Sequence, residues 1–278
     1  ENSRVKFELV LKSPPPSAWR DEVVFDIDTL GMSDAEAMAL LSGLYVTDSS
    51  PEPITRPLAV SLIAGTVSLG FDLTGMVFPV TIDPTIDAQV GASADDVYSY
   101  EGSGGGYSSA STVVAIGHFS TALAQINSGY RFTGISGLSG ATINVSYISL
   151  FGDSGNPSSG TPLTKIFADD AAAPAQIASR ADYNSRTPTT AGIDWDATIP
   201  ANDTYTNSPS TNSVIQELAD SYDPTVIQIL HKDDGSASTA NYIRASSYDM
   251  VSTEAPKLHI ESTAPAGTTP KLTLMHAG

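Results

Sequence analysis

Alternation of apolar and polar side chains, bounded by proline, is the feature that most restricts this chain. A period of two sends successive side chains to opposite faces of an extended strand and cannot line one face of a helix. After Pro256, Leu258 and Ile260 point one way while Lys257, His259 and Glu261 point the other. The same period runs through residues 4–12 (RVKFELVLK), with Val5, Phe7, Leu9 and Leu11 on one face. The triple proline at 14–16 ends that run, since proline donates nothing to a ladder. Both segments read as strands, and the one after Pro256, with one buried face, reads as the closing strand of a β-sandwich.

Composition supports β-structure elsewhere. Leu, Glu and Lys are scarce relative to Ser, Thr, Gly and Pro, and charged residues make up 16% of the chain, against about 25% in ordinary globular domains. Glycine- and serine-rich segments at 101–111 and 152–162 separate the apolar runs as turns. With 278 residues, 41% of them hydrophobic, the chain can bury a real core and accommodate two domains.

Charge and cysteine usage exclude several functions. The balance of 13 basic and 31 acidic residues gives −18, a field that repels polyanions, so nucleic acid is not an expected partner. Such a surface can hold Ca²⁺, keep a dense assembly soluble, or simply be solvated. There is no cysteine, which removes disulfides, thiolate metal sites and a cysteine nucleophile. No run approaches the roughly 18 apolar residues of a membrane-spanning helix. The chain opens at Glu1 rather than Met, as a removed leader or a processed N-terminus would leave it.

Residues 22–28 (EVVFDID) form a second strand. Ser33 with Glu36 makes a capping box for a short helix over 33–43, ended by Gly43. Residues 57–75 read as two strands about a Gly65-Thr66 turn, and Pro79 demotes the strand that follows to a sheet edge or a linker. Later, Ser213 with Gln216 caps a helix over 214–220, with Val214 and Leu218 one turn apart. A hydrophobic strand at 225–231 follows. No internal repeat of fixed period is present, which argues against a solenoid or propeller.

Four segments in order, AQVGASADDVYS (88–99), YRFTGISGLSGATINVSYISLF (130–151), IDWDATIP (193–200) and YIRASSYDMVSTEAPKLHIES (242–262), resemble the extracellular jelly-roll modules called DNRLRE domains. Pro79, Val80, Asp83 and Pro84 resemble the Pro-Val-x-x-Asp-Pro junction that precedes such modules in secreted and phage-encoded surface proteins. The resemblance implies an all-β protein in three parts. Residues 1–84 are a small β-rich domain with one short helix, 85–262 a jelly-roll sandwich, and 263–278 a linker with a C-terminal strand available for intersubunit contact.

Jelly rolls of the carbohydrate-binding type frequently hold a structural Ca²⁺ on carboxylates and carbonyls. By that likeness Asp95 and Asp96 are the candidate ligands, with turn-forming aspartates as the alternative. Tyrosines offer flat apolar faces to sugar rings, and Tyr98, Tyr100, Tyr107 and Tyr205 lie in or beside loops, which makes them candidate glycan contacts. Trp195 fits a core plug between sheets better than a ligand platform. Arg131 and Arg244 are expected as strand residues paired with carboxylates or turn carbonyls.

Other motifs carry less. GDSG at 152–155 resembles the nucleophile loop of chymotrypsin-like proteases, but the only upstream histidine, His118, stands 36 residues away without that family's context, so Ser154 is expected in a turn. GSGGGY at 102–107 lacks the Lys-Ser/Thr of a phosphate loop. The four histidines show no zinc spacing. The acidic residues cluster in turns rather than facing one another as a glycosidase pair would.

The expected function is a non-enzymatic structural part of an extracellular assembly, foremost a bacteriophage capsid or tail surface, with itself or other subunits as partners. In that reading Leu272 and Leu274 of the terminal strand dock on a neighbour, after an eight-residue linker that spans up to about 26 Å. The alternative is a carbohydrate-binding or adhesive module of a secreted protein.

Overall fold

The computed structural model describes residues 9–11, 22–26, 44–48, 55–57, 59–63, 66–70, 74–77, 80–102, 105–236 and 239–263. The chain divides into two compact units, one of Val5–Thr85 with Glu261–Gly278, the other of Ile86–Ile260 with Glu1–Arg4. Both are built from antiparallel strands, and the fold is all-β.

In the first unit the strands are β1 (Leu9–Leu11), β2 (Glu22–Asp26), β3 (Leu44–Asp48), β4 (Thr55–Pro57), β5 (Ala59–Ile63), β6 (Thr66–Gly70) and β7 (Val80–Gln89). The hairpin expected about Gly65 and Thr66 is β5 with β6, registered Leu62↔Val67, and β2 pairs on the other side of β6. Proline does not reduce residues after 79 to an edge or a linker. Ile82 of β7 is flanked by Leu9 of β1 and Val46 of β3. Pro79 lies outside the described residues, and Pro84 lies beyond the last β1 pair, opposite Leu44 of β3, so its missing N–H leaves the β1 ladder intact. The helix expected at 33–43, residues 4–8 of the first strand and the terminal strand at 271–276 lie outside the described residues.

The second unit contains β8 (Asp96–Tyr100), β9 (Gly106–Ser108), β10 (Val113–His118), β11 (Asn127–Thr133), β12 (Thr142–Gly152), β13 (Thr164–Ala168), β14 (Ile193–Asp194), β15 (Thr204–Asn207), β16 (Val226–Asp233), β17 (Asn241–Ser246) and β18 (Lys257–Thr263). One sheet runs β15-β12-β18-β7, with β7 contributing Ile86–Gln89. The other runs β14-β13-β16-β11-β8-β9, and β10 pairs separately with β17. A single core joins the sheets: Ile148, Leu150, Leu258 and Ile260 from the first meet Tyr130, Phe132, Ile166, Ile227 and Ile229 from the second. This is the sandwich arrangement that alternation demands, since each strand buries every second side chain. On β18 the buried residues are Leu258, Ile260 and Ser262, as its sequence pattern requires.

Trp195 lies in that core, its ring stacked 5.5 Å from the His231 ring and nearly parallel to it. His231 is fully buried, and burial pushes its imidazole down to about 3, so the ring is neutral. Its tautomer follows from its neighbours. Thr164 Oγ1 donates to the Trp195 carbonyl (2.6 Å) and therefore accepts from His231 Nε2 (2.9 Å), which leaves Nδ1 to accept from the Tyr130 hydroxyl (3.4 Å).

Two helices attach to the sandwich. Sequence reasoning missed α1 (Arg180–Ser185), a single capped turn and a half in which Ser179 accepts from the Asp182 N–H. Tyr183 on it packs with Val97, Ile177 and Leu230, covering the second sheet's outer face. The expected helix at 214–220 is α2 (Asn212–Ser221), burying Val214, Ile215, Leu218 and Ala219. Its cap differs from expectation, because Ser213 sits inside the helix and the Ncap residue is Thr211, with no side-chain cap bond. Gln216 turns instead to β12, accepting from the Ile143 N–H and donating to the Ala141 carbonyl, both at 2.8 Å. One turn earlier Asn212 does the same with the Ser146 N–H and the Asn144 carbonyl, both at 2.6 Å.

Candidate functional site

The alternation that buries one face of the β15-β12-β18-β7 sheet presents the other to solvent. Asp87 and Gln89 of β7, Lys257 and His259 of β18, Tyr147 and Ser149 of β12, and Tyr205 and Asn207 of β15 line a groove of about 440 Å³ there. Cross-strand register aligns them in rows, with Asn207 opposite Ser149 and Tyr205 opposite Phe151.

Tyr205 forms one wall and is held firmly. Its hydroxyl donates to the Thr253 (2.8 Å) and Ala255 (3.1 Å) carbonyls and accepts from Gln89 Nε2 (3.1 Å), which also donates to Ala255 (3.0 Å). Burial, helped by Glu254, pushes this phenol up to about 12. The Lys257 ammonium stands 4.0 Å from the Tyr205 ring centre, a cation–π contact, and Phe151 meets the ring edge-on at 5.2 Å. The opposite wall is Tyr147 stacked on His259 at 4.7 Å, with His259 Nδ1 bonded to Asp87 Oδ1 at 2.7 Å. Between the walls Ser149 Oγ donates to Asn207 Oδ1 at 2.7 Å. The groove therefore combines aromatic walls with hydroxyl, amide, ammonium and carboxylate groups, a set suited to binding a polar ligand that also has apolar faces.

Of the tyrosines singled out from sequence, Tyr205 alone lines this groove. Tyr98 and Tyr100 lie on β8, Tyr100 at its end beside the following loop, two residues apart on one face with ring centres 6.2 Å apart, as the period of DVYSY dictates. Tyr107 lies on β9, donates its hydroxyl to the Ile177 carbonyl and packs against the cluster under α1.

Asp95 and Asp96 are drawn to different partners. Asp95 closes a 3₁₀ turn and its Oδ1 accepts from Arg131 and from Gln176, both at 3.0 Å. Asp96 opens β8, and its Oδ2 accepts the Tyr248 N–H at 2.7 Å while Oδ1 is buried without a hydrogen-bond partner. Burial above all, with Asp249 and Asp95 adding and the Tyr248 N–H opposing, pushes the Asp96 carboxyl up to about 7. Among the described residues no group of three or more His, Asp or Glu side chains is placed to hold a metal. Leu272 and Leu274 lie outside the described residues.

The remaining motifs have structural explanations. In GDSG, the Gly152 carbonyl accepts from Asn202 and Asp203, and a side chain at 152 would meet the Pro200 carbonyl oxygen at 1.9 Å. Ser154 is exposed in the following turn, its N–H donating to Asp203, whereas His118 on β10 faces the Ser236 carbonyl. Arg131 has the carboxylate partner expected of it, and Arg244 bonds the Asn156 side-chain oxygen at 2.8 Å.

The groove residues other than Tyr205 escaped sequence reasoning as a site. Lys257 and His259 were legible as outward-facing, but nothing local in the chain announces that residues near 88, 148, 206 and 258 share one sheet face. No protein-family model matches this sequence, and no curated protein does. No helix among the described residues is long and apolar enough to cross a membrane.

Proposed function

We propose that the protein is a non-enzymatic structural component of an extracellular assembly, displayed on the capsid or tail surface of a bacteriophage virion. The observation that supports this reading best is where the family-like segments fall. Residues 88–99, 130–151, 193–200 and 242–262 supply strands or strand ends of one sandwich, β7 and β8, β11 and β12, β14, then β17 and β18, around a common core. Segments of a single module would have to share one architecture, and it is this sharing that supports the reading. Read as a jelly roll, the sandwich is a compact display module, and the acidic balance of the chain keeps closely spaced copies apart in solution. Fold alone does not fix a role, so location must be measured directly.

Immunogold labelling with an antibody against the whole chain, applied to particles and cell-surface material from the producing culture, tests it. Gold on virions supports the proposal. Label confined to the cell interior, or to free soluble protein with unlabelled particles, overturns it.

A further inference from the structure

The outward face of the β15-β12-β18-β7 sheet carries a built polar site that a purely architectural role does not use. We propose that the groove between Tyr205 and the Tyr147–His259 pair binds a saccharide, with Ser149, Asn207 and Lys257 as its hydrogen-bonding partners.

The chemistry of the lining argues for this ligand class. A pyranose ring presents hydroxyl groups around its edge and C–H faces above and below. The groove sets aromatic walls beside a hydroxyl, a carboxamide and an ammonium, which is the complementary combination. Its volume of about 440 Å³ lies within the roughly 300–1,000 Å³ of small-ligand sites.

The walls are also prepared in advance. Tyr205 is tied through its hydroxyl to Gln89, Thr253 and Ala255, so its ring need not be ordered when a ligand arrives. Lys257 adds a further sign. In a chain of net charge −18, its ammonium makes no ion pair with any described carboxylate and is held over an aromatic ring at the groove wall.

A peptide strand is the poorer occupant. Strand addition requires unpaired backbone at a sheet edge, whereas this groove lies over β12 and β18, which have neighbours on both sides. Recognition here has to come from side chains, and the side chains are those of a sugar site. The inference is independent of where the protein is displayed.

The test uses the full chain with cello-, xylo- and manno-hexasaccharides as probes. Amide and side-chain NMR shifts are followed at millimolar sugar. At least one probe is expected to give saturable shifts centred on Tyr147, Ser149, Tyr205, Asn207 and Lys257. Asn207→Ala and Lys257→Met are each expected to weaken that binding about tenfold, the equivalent of one lost hydrogen bond. Leu163→Ala, at an exposed residue just before β13 of the other sheet, should bind as the wild type does. The proposal is overturned if all three probes leave these residues unshifted, if shifts cluster elsewhere, or if both groove variants, shown folded by their spectra, bind normally.

Discussion

Replacing Asp96 by Asn should remove a contribution that lowers the stability of the fold as pH rises. The carboxyl is 3% exposed, one of its oxygens has no partner, and Asp249 and Asp95 stand near it. Its folded value of about 7, against 3.8 unperturbed, means that the folded chain holds this proton over a range where the unfolded chain has lost it. Stability contributed by the protonated group is therefore complete below 3.8, declines as pH rises, and is gone above about 7. At 1.36 kcal/mol for each tenfold change, the whole span amounts to about 4 kcal/mol, of which about 3 falls between about pH 5 and about pH 8.

His231 works in the opposite sense. Its folded value of about 3 lies below the ordinary 6.5, so it destabilises the fold as pH falls through that window. The wild-type curve alone thus mixes two opposing trends, and the wild-type minus Asp96→Asn difference isolates the carboxyl. Urea unfolding followed by Trp fluorescence across that pH range provides the measurement. The Asn variant keeps an oxygen for the Tyr248 N–H and should be the more stable protein above about pH 7. A flat difference curve would mean that Asp96 is ionised and solvated in the fold, and the reasoning from burial fails.

Arg131→Met removes the partner of the buried Asp95 carboxylate and is expected to cost about 3 kcal/mol in urea unfolding; a loss under about 1 kcal/mol would show that Gln176 and water suffice. Thr164→Val deprives the His231 Nε2–H of its acceptor and should cost about 1–3 kcal/mol, read as a lowered urea midpoint; an unchanged midpoint would refute the tautomer deduced for His231. If Leu272 and Leu274 dock on a neighbouring subunit, deleting residues 264–278 leaves a folded protein that no longer assembles, as sedimentation would report. Normal assembly or outright unfolding would refute that contact.

Period-two alternation made the strands around 59–70 and 257–263 legible, because a half-buried strand has to write its two faces into successive residues. The apolar spacing of Val214 and Leu218 likewise announced α2. Its cap was not legible, since Ser213 and Gln216 satisfy the spacing of a capping box while Gln216 is claimed by β12, a contact between residues about 75 positions apart. Helix α1 was missed for the opposite reason: six residues are too few for an apolar period, and its one buried side chain, Tyr183, is held by tertiary packing. Asp96 and His231 sit in strand positions where any polar residue could stand, and only the folded neighbourhood reveals that both are buried. The groove has the same origin, four pairs of outward-facing residues, each pair two positions apart, brought side by side by sheet order.

The amides of Asn212 and Gln216 do for β12 what another strand would do. Along the edge turned away from β18, the Ala141 carbonyl and Ile143 N–H meet Gln216, and the Asn144 carbonyl and Ser146 N–H meet Asn212. The Ser146 carbonyl accepts from Thr211, and both Ile148 groups bond Ser208 before β15 takes over at Ser149. A helix has thus finished a sheet edge that would otherwise template the backbone of a foreign chain. Along this stretch of β12 a neighbouring chain finds no free backbone to extend, so a contact made here has to come from side chains. Truncating both amides to Ala should accordingly appear first as concentration-dependent clumping, before the melting temperature of the dilute protein has moved much.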